Sequence, residues 1–281
     1  MTESTLIMLY ALIVGLCVGS FLNVLIYRLP RMMHLQWQQE AAHILETDPE
    51  PATTAFNLSI PHSHCPSCEH PIKWWQNIPV ISFILLKGKC ASCKTAISWR
   101  YPLVELTTGL LTLAAASQTS SMTELILTSI LIWGLIALML IDYDTQLLPD
   151  SITLPLLWLG LIANSFSLFT DLNSALWGAV IGYLCLWSIY WVFKLLTGKE
   201  GMGAGDFKLL ACIGAWLGWQ TLPSAILLSA GLGSVIGIAM IVFTKRSSQQ
   251  TIPFGPYLGL AFLVLLFFGD NVAQLMQAIA I

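Results

Sequence analysis

Long uncharged stretches of apolar residues alternate with short polar stretches along most of the chain. Residues 5–27, 151–170 and 172–193 contain no charged residue. A run of about 20 apolar residues can cross the roughly 30 Å hydrocarbon layer of a membrane as a helix. The runs are continuous instead of alternating with polar residues, which favours helices over barrel strands. The pattern predicts an all-α polytopic membrane protein with about eight transmembrane helices, near residues 5–28, 102–119, 124–142, 151–169, 174–194, 206–218, 222–244 and 254–279.

The boundary between the sixth and seventh predicted helices depends on residues 218–223, which read Gly-Trp-Gln-Thr-Leu-Pro. Such a stretch is typical of a turn between two helices, but it is also compatible with a proline kink in one long helix. Both interpretations remain open at the level of sequence.

The composition supports a membrane location. Hydrophobic residues make up 56% of the 281 residues and charged residues only 10%, whereas soluble domains carry about 25% charged residues. The net charge of −3 is too small to indicate any partner, and no nucleic-acid partner is expected. The chain begins without a basic segment of the kind that precedes a cleaved signal, so we expect residues 5–27 to remain as the first helix.

The basic residues predict the orientation in the membrane. All 12 Lys and Arg residues fall in three groups: seven between Arg28 and Arg100, then Lys194, Lys199 and Lys208, and finally Lys245 and Arg246. With eight spans, all three groups lie on one side, and that side is cytoplasmic by the positive-inside rule. Both termini are therefore predicted to be periplasmic. The predicted division of the chain is a first helix at 1–29, a cytoplasmic loop domain at 30–101 and a membrane domain at 102–281. A short amphipathic helix is expected within the loop, at 34–46.

Four of the seven cysteines form two CxxC pairs in this loop, Cys65 with Cys68 and Cys90 with Cys93. Two such pairs about twenty residues apart have the ligand spacing of a structural zinc site, in which four thiolates complete a tetrahedron. Stable disulfides are disfavoured in the reducing cytoplasm, and a redox CxxC motif would need a βαβ context. The sequence predicts a zinc-ribbon-like loop, in which His64 is a less favoured alternative ligand.

Acidic residues at the ends of predicted membrane helices are candidates for chemistry, because ionisable groups at membrane depth are costly. Asp142 ends the third predicted span and Asp206 begins the sixth, so both are expected at the cytoplasmic edge of the membrane. Two facing carboxylates can share one proton, and such a pair can hydrolyse a peptide bond by general acid–base catalysis.

Structural roles compete with this interpretation. Asp144 and Asp150 lie in a short loop and can be simply solvated, and Asp150 also suits a helix N-cap. Asp206 taken alone can be an N-cap too, so the residues alone leave the pairing with Asp142 open. Gly201, Gly203 and Gly205 lack the arrangement of a phosphate loop, and we expect them to let a substrate chain approach Asp206. Asp270 is expected in a loop or at a helix start.

The motifs taken together resemble the type IV prepilin leader peptidases, which also carry an N-methyltransferase activity. The resemblance covers nearly the whole chain. It comprises Gly19-Ser20-Phe21-Leu22-Asn23-Val24 with Arg28-Leu29-Pro30, the paired CxxC loop, Arg100-Tyr101-Pro102-Leu103-Val104-Glu105, the segment from Asp142 to Asp150, and Gly203-Ala204-Gly205-Asp206-Phe207-Lys208.

The resemblance implies an aspartic peptidase of the bacterial inner membrane with Asp142 and Asp206 as its catalytic residues. It implies cleavage of a basic leader from type IV prepilins and type II secretion pseudopilins, after a glycine and before a phenylalanine. It further implies methylation of the new N-terminus by S-adenosylmethionine. No donor site is recognisable in the residues, and Glu105 with regions 20–30 and 61–101 are the candidates for it. A transporter and a noncatalytic assembly scaffold are the rival interpretations.

Overall fold

The fold is almost entirely helical in a computed structural model of the chain, which describes residues 2–46, 56–244 and 253–279. In this part of the chain the helices are α1 (Glu3–Ile44), α2 (Ile81–Leu85), α3 (Arg100–Gln118), α4 (Met122–Thr145), α5 (Asp150–Ser165), α6 (Leu172–Thr197), α7 (Ala204–Leu217), α8 (Leu222–Thr244) and α9 (Gly255–Ile279). Only two isolated β-bridges accompany them there, so the predicted all-α class is confirmed.

A helix occupies each of the eight predicted spans, and five of these helices are long and apolar enough to cross a membrane: α1, α4, α6, α8 and α9. The other three are shorter. The 14 residues of α7, for example, reach only about 21 Å. The chain is a multi-pass membrane protein, and the count of eight spans stays a prediction. The basic pair Lys245 and Arg246, which enters the topology argument, lies outside the described residues.

The first helix is longer than predicted. Residues 34–46 were expected to form a separate amphipathic helix, but α1 continues without interruption from Glu3 to Ile44. The expectation was wrong because the segment after Pro30 is rich in Met, Leu, Gln, Glu and Ala, which favour helix, and contains no turn residue. Its 42 residues span about 63 Å, so α1 extends well beyond a hydrocarbon layer.

The sixth and seventh predicted spans are separate helices. Gly218, whose backbone has a positive φ of +84°, ends α7, and a single 3₁₀ turn at Trp219–Thr221 leads into α8. The turn interpretation of residues 218–223 is therefore confirmed, and the proline-kink alternative is wrong. Near the other end of the chain, α9 is interrupted at Phe268, and Asp270 follows this break within the helix.

The chain divides into two compact units, Met1–Trp133 and Gly134–Ile281. In the first unit, α1 lies along α3, and the missing side chains of Gly15 and Gly19 allow close approach to Thr112 and Glu105. In the second unit, α6 lies along α7, where Gly178 and Gly182 of α6 contact the α7 backbone. Small residues at both contacts let helix backbones approach closely, as is common between membrane helices.

Candidate active site and cysteine cluster

Asp142 lies in the last turn of α4 and is only 5% exposed. Its carboxylate oxygen Oδ2 accepts a hydrogen bond of 3.0 Å from the backbone N–H of Gly255. Gly255 is the first residue of α9, so this N–H is one of the donors that a helix leaves without an internal partner. The second unit thus places Asp142 at the N-terminus of another helix, where a carboxylate interacts favourably with the helix dipole.

Gly255 is a site residue that the sequence interpretation missed. A Cβ atom at this position would lie 2.6 Å from Oδ2 of Asp142 and 3.3 Å from its Cβ, so any larger residue would displace the carboxylate. One turn later, a Cβ at Gly259 would meet the side chain of Met139. The sequence feature that could have identified it is the Gly-x-x-x-Gly spacing of Gly255 and Gly259, which is typical of close helix contacts in membranes.

Asp206 lies in the first turn of α7 and is 7% exposed. The alternative interpretation of Asp206 as an N-cap was wrong, because Gly203 occupies that position and Asp206 follows three residues later. The Asp206 carboxylate accepts a hydrogen bond from the Gly203 backbone N–H, which is half of a capping box. Its oxygen Oδ1 is buried and has no hydrogen-bond partner within the described ranges.

The second unit brings Asp142 and Asp206 close enough to interact electrostatically. Each carboxylate is buried, each lies at a helix end, and each accepts a backbone N–H from a glycine at a helix N-terminus. A buried polar atom without a partner is unfavourable by about 1–3 kcal/mol. The free oxygen Oδ1 of Asp206 therefore provides a strong acceptor for a polar group, such as a water molecule or a peptide.

The glycines before Asp206 were expected to let a substrate chain approach, but two of them have more specific contacts. None of Gly201, Gly203 and Gly205 adopts a positive φ. A Cβ at Gly205 would lie 2.6 Å from the Cβ of Leu148, whereas a Cβ at Gly203 would lie 3.8 Å from Oδ2 of Asp206, an ordinary contact. Gly205 is therefore needed for packing against the loop after α4, and Gly203 acts through its N–H.

The other two acids of the segment are more exposed. Asp144 is an exposed residue near the end of α4. Asp150 is the first residue of α5 and makes no capping hydrogen bond, so the N-cap expectation for it was wrong. Both of its carboxylate oxygens accept from the Lys208 ammonium, at 2.7 and 2.8 Å. This ion pair links the start of α5 to the first turns of α7, beside Asp206.

The four loop cysteines come together as predicted. The sulfur atoms of Cys65, Cys68, Cys90 and Cys93 all lie within 4.8 Å of one another, and those of Cys65 and Cys93 are 3.8 Å apart. A tetrahedral zinc ion with bonds of 2.3 Å has sulfur–sulfur edges of about 3.8 Å. The cluster therefore has the dimensions of a four-thiolate metal site.

Each CxxC pair forms the same kind of tight turn. In the first, the Cys65 N–H donates to the His70 carbonyl at 3.0 Å, and in the second the Cys90 N–H donates to the Thr95 carbonyl at 2.8 Å. Hydrogen bonds from the backbone at Ser67 and Cys68 lower the pKa of Cys65, and hydrogen bonds from Thr95 lower the pKa of Cys93 to about 6. A backbone hydrogen bond at His70 lowers the pKa of Cys68, but burial and the three neighbouring cysteines together raise it to about 11. The turns therefore favour thiolate, the form that binds metal, at Cys65 and Cys93.

Two buried charged residues join the loop to the helices of the first unit. Arg28 of α1 donates to the backbone carbonyls of Asn57 at 2.9 Å and Pro61 at 2.6 Å. Glu105 of α3 accepts from the Val80 N–H at 2.8 Å and from the side chain of Ser20. The Glu105 carboxylate is thus engaged by the backbone of the loop and by a side chain of α1.

Comparisons with known proteins agree with the motifs. Residues 13–119 match the model of the bacterial peptidase A24 N-terminal domain, and residues 129–238 match that of the type IV leader peptidase family. Proteins called prepilin leader peptidase/N-methyltransferase are similar over almost their whole length. The one from Stutzerimonas stutzeri is 58% identical over 94% of this chain and 91% of its own, and the one from Pseudomonas aeruginosa is 53% identical over 95% and 92%. No solved structure matches this chain at a significant level.

Proposed function

The chain belongs to the type IV leader peptidase family, and on this premise we propose that it cleaves the leader from type IV prepilins and type II secretion pseudopilins and methylates the new N-terminus. The observation that carries the peptidase assignment is the buried, interacting pair of Asp142 and Asp206, in which one Asp206 oxygen has no hydrogen-bond partner among the described residues. The similar proteins are named for these two activities over nearly the same length of chain.

In the proposed mechanism the two carboxylates share one proton. The ionised carboxylate takes a proton from a water molecule, whose oxygen attacks the carbonyl carbon of the scissile peptide bond. The protonated carboxylate donates to the carbonyl oxygen. When the tetrahedral intermediate collapses, the C–N bond breaks and the leaving nitrogen receives a proton from the dyad. The N–H groups of Gly255 and Gly203 keep both carboxylates in place during these steps.

The orientation of the substrate follows from the predicted topology. We place both termini of this inner-membrane enzyme in the periplasm, and the loop domain at 30–101 and the dyad at the cytoplasmic side of the membrane domain at 102–281. The basic leader of a prepilin then stays in the cytoplasm, and its apolar segment lies among the membrane helices. The bond between the two regions reaches the level of Asp142 and Asp206.

The cysteine cluster is proposed to hold one structural zinc ion. Its ligands would be Cys65, Cys68, Cys90 and Cys93, whose sulfur spacing fits tetrahedral coordination. A site closed by four protein ligands has no open position for water, so the ion would cross-link the two CxxC turns and take no part in hydrolysis.

Methyl transfer is the second proposed activity, and its support is the name shared by the similar proteins. S-adenosylmethionine would supply the methyl group to the amine that cleavage exposes. Within the described part of the first unit, Glu105 holds the Val80 loop to α1 and α3. This contact fixes the position of the carboxylate, and Glu105 stays a candidate for the donor site together with regions 20–30 and 61–101.

A cleavage assay with purified protein tests the proposal. The protein in detergent or vesicles is mixed with a full-length prepilin, and the products are separated by mass. We expect loss of the leader at a single bond, followed by a 14 Da increase of the mature product when S-adenosylmethionine is present. An intact precursor after incubation with correctly folded protein would favour a noncatalytic scaffold instead.

A further inference from the structure

Large apolar side chains are exposed along one stretch of the loop domain. Between Lys73 and Lys87 they are Trp74, Trp75, Ile78, Ile81, Ile84 and Leu85. The last three share one face of α2, because they are three and four positions apart. Trp99 is exposed as well, and its ring packs against Phe83 of α2 with 4.8 Å between the ring centroids. We call these seven exposed side chains the loop patch. An exposed apolar surface of this size indicates contact with a protein or a membrane.

A hydrogen bond holds the loop patch at the depth where the apolar part of α1 ends. The Val80 N–H donates to Oε2 of Glu105 at 2.8 Å, and the same carboxylate accepts from the side chain of Ser20. Ser20 lies within the uncharged run of α1, a helix long and apolar enough to cross a membrane. It precedes Tyr27, the end of that run, by about 10 Å. The loop patch is therefore anchored close to the boundary between the hydrocarbon layer and water.

A second contact fixes the loop domain at the same boundary. Arg28, the first charged residue after the uncharged run, donates to the carbonyls of Asn57 and Pro61. Val80 itself has a positive φ of +60°, which is rare for a β-branched residue. The hydrogen bond to Glu105 thus stabilises a backbone conformation that is unfavourable in isolation. Both anchors keep the loop patch close to the bilayer that surrounds α1.

The charges around the loop patch indicate which partner covers it. Residues 73–100 contain five basic residues and no acidic one. The basic residues are Lys73, Lys87, Lys89, Lys94 and Arg100. Trp is enriched where membrane meets water, and Lys can lay its apolar stem along such a surface while its ammonium group reaches the headgroups. Interfaces between proteins are instead depleted of Lys. The combination of Trp, Ile and Lys therefore fits an anionic bilayer surface better than a protein.

We propose that the loop patch inserts into the headgroup region of the bilayer and that anionic lipid phosphates pair with its flanking lysines. The apolar face of α2 then contacts the upper part of the acyl chains, and Lys73 and Lys87, at the two ends of the stretch, meet the phosphates. The loop domain lies on the membrane surface, and the cysteine cluster, which resumes at Cys90, is kept beside it. The inference is independent of the proposed chemistry, because it concerns only how this domain is attached.

The test uses the full-length protein with an environment-sensitive fluorescent amino acid at Leu85, in vesicles of phosphatidylethanolamine and phosphatidylglycerol. Lipids that are brominated on the acyl chain near the headgroup quench a fluorophore that contacts them. Ile44 is the matched control position, because it is also apolar and is 78% exposed, against 75% for Leu85. It lies about 25 Å beyond Tyr27 along α1. Ile84 is a second label position in case a label at Leu85 disturbs folding.

We expect the brominated lipids to quench the label strongly at Leu85 and Ile84 and weakly at Ile44. An absence of quenching at both Leu85 and Ile84, or equally strong quenching at Ile44, would overturn the bilayer contact. An unquenched label with the emission of an apolar environment would assign the loop patch to a protein partner and would overturn the proposal as well.

A second comparison tests the role of charge. Brominated phosphatidylglycerol should quench the label at Leu85 more than an equal share of brominated phosphatidylcholine does. The double variant Lys73→Gln, Lys87→Gln should reduce this preference by about 5-fold for each lysine removed, the usual effect of one basic residue near an anionic membrane. An unchanged preference in the folded double variant would overturn the pairing of lysines with anionic lipid.

Discussion

Replacing Gly255 by alanine is a small change that should disable the proposed peptidase. The new Cβ would lie 2.6 Å from Oδ2 of Asp142, 3.0 Å from its Cγ and 3.3 Å from its Cβ, whereas ordinary contacts begin at 3.4 Å. The carboxylate would have to move by about 0.8 Å to restore an ordinary distance. Rotation of the carboxylate alone would not suffice, because the whole Asp142 side chain lies close to the new methyl group.

The expected loss of activity follows from this displacement. Misplacing a catalytic group by about 1 Å can reduce the rate about 100-fold, which corresponds to about 2.7 kcal/mol of transition-state stabilisation. The change should appear mainly in kcat, because Gly255 acts through Asp142 and not through substrate binding. Overpacking can also lower the free energy of unfolding by about 1–3 kcal/mol, so the amount of folded protein must be measured.

The assay compares prepilin cleavage by the wild-type protein, Gly255→Ala and Gly231→Ala at equal amounts of folded enzyme, with thermal unfolding as a check. Gly231 is a suitable control because a Cβ there meets no atom within 4 Å, and alanine is favoured over glycine in a helix. Gly231→Ala should cleave normally. A Gly255→Ala protein that cleaves at the wild-type rate would refute the claim that the Gly255 contact positions a catalytic Asp142.

Three further predictions concern the metal, the exposed acids and the topology. Cys65→Ser or Cys90→Ser should release about one zinc ion per chain, as measured by metal analysis; full metal retention without all four cysteines would refute the site. Asp144→Asn and Asp150→Asn should retain most cleavage, and folded but inactive variants would contradict this expectation. Loss of the exposed Asp150–Lys208 pair should lower the free energy of unfolding by about 0–1 kcal/mol. Labelling of single cysteines introduced at residues 48, 121 and 248 should give a periplasmic signal only at 121, and a periplasmic signal at 48 would overturn the orientation.

Features that depend on composition along one stretch of chain could be predicted from the sequence. The apolar runs predicted eight helices, and a helix lies at each of the eight expected places. The prediction succeeds because an apolar run can satisfy its backbone hydrogen bonds in a membrane only as a helix or in a closed barrel. The CxxC spacing predicted the cluster of Cys65, Cys68, Cys90 and Cys93, because each turn is local and presents two thiols. The length of α1 was missed because the break expected before residue 34 rested on polarity, and polarity does not end a helix.

Features that depend on contacts between distant residues could not be predicted. Asp142 and Gly255 are 113 positions apart, and only the packing of α4 against α9 shows that the glycine faces the carboxylate. The same applies to Asp150, for which the sequence suggested a cap while its partner Lys208 lies on α7, 58 positions away. From the sequence, Asp206 could either pair with Asp142 or act as an isolated helix cap. The fold of the second unit was needed to bring the two carboxylates together.

The central claim is that Asp142 and Asp206 act as one catalytic unit. The most direct measurement is the cleavage rate of Asp142→Asn, Asp206→Asn and the double variant, each shown to insert and fold normally. Each single change should reduce cleavage by roughly 100- to 10,000-fold, the usual contribution of general acid–base catalysis. The double variant should be little slower than either single one, because groups that act together are not additive. A fully active and normally inserted Asp142→Asn or Asp206→Asn protein would contradict the claim.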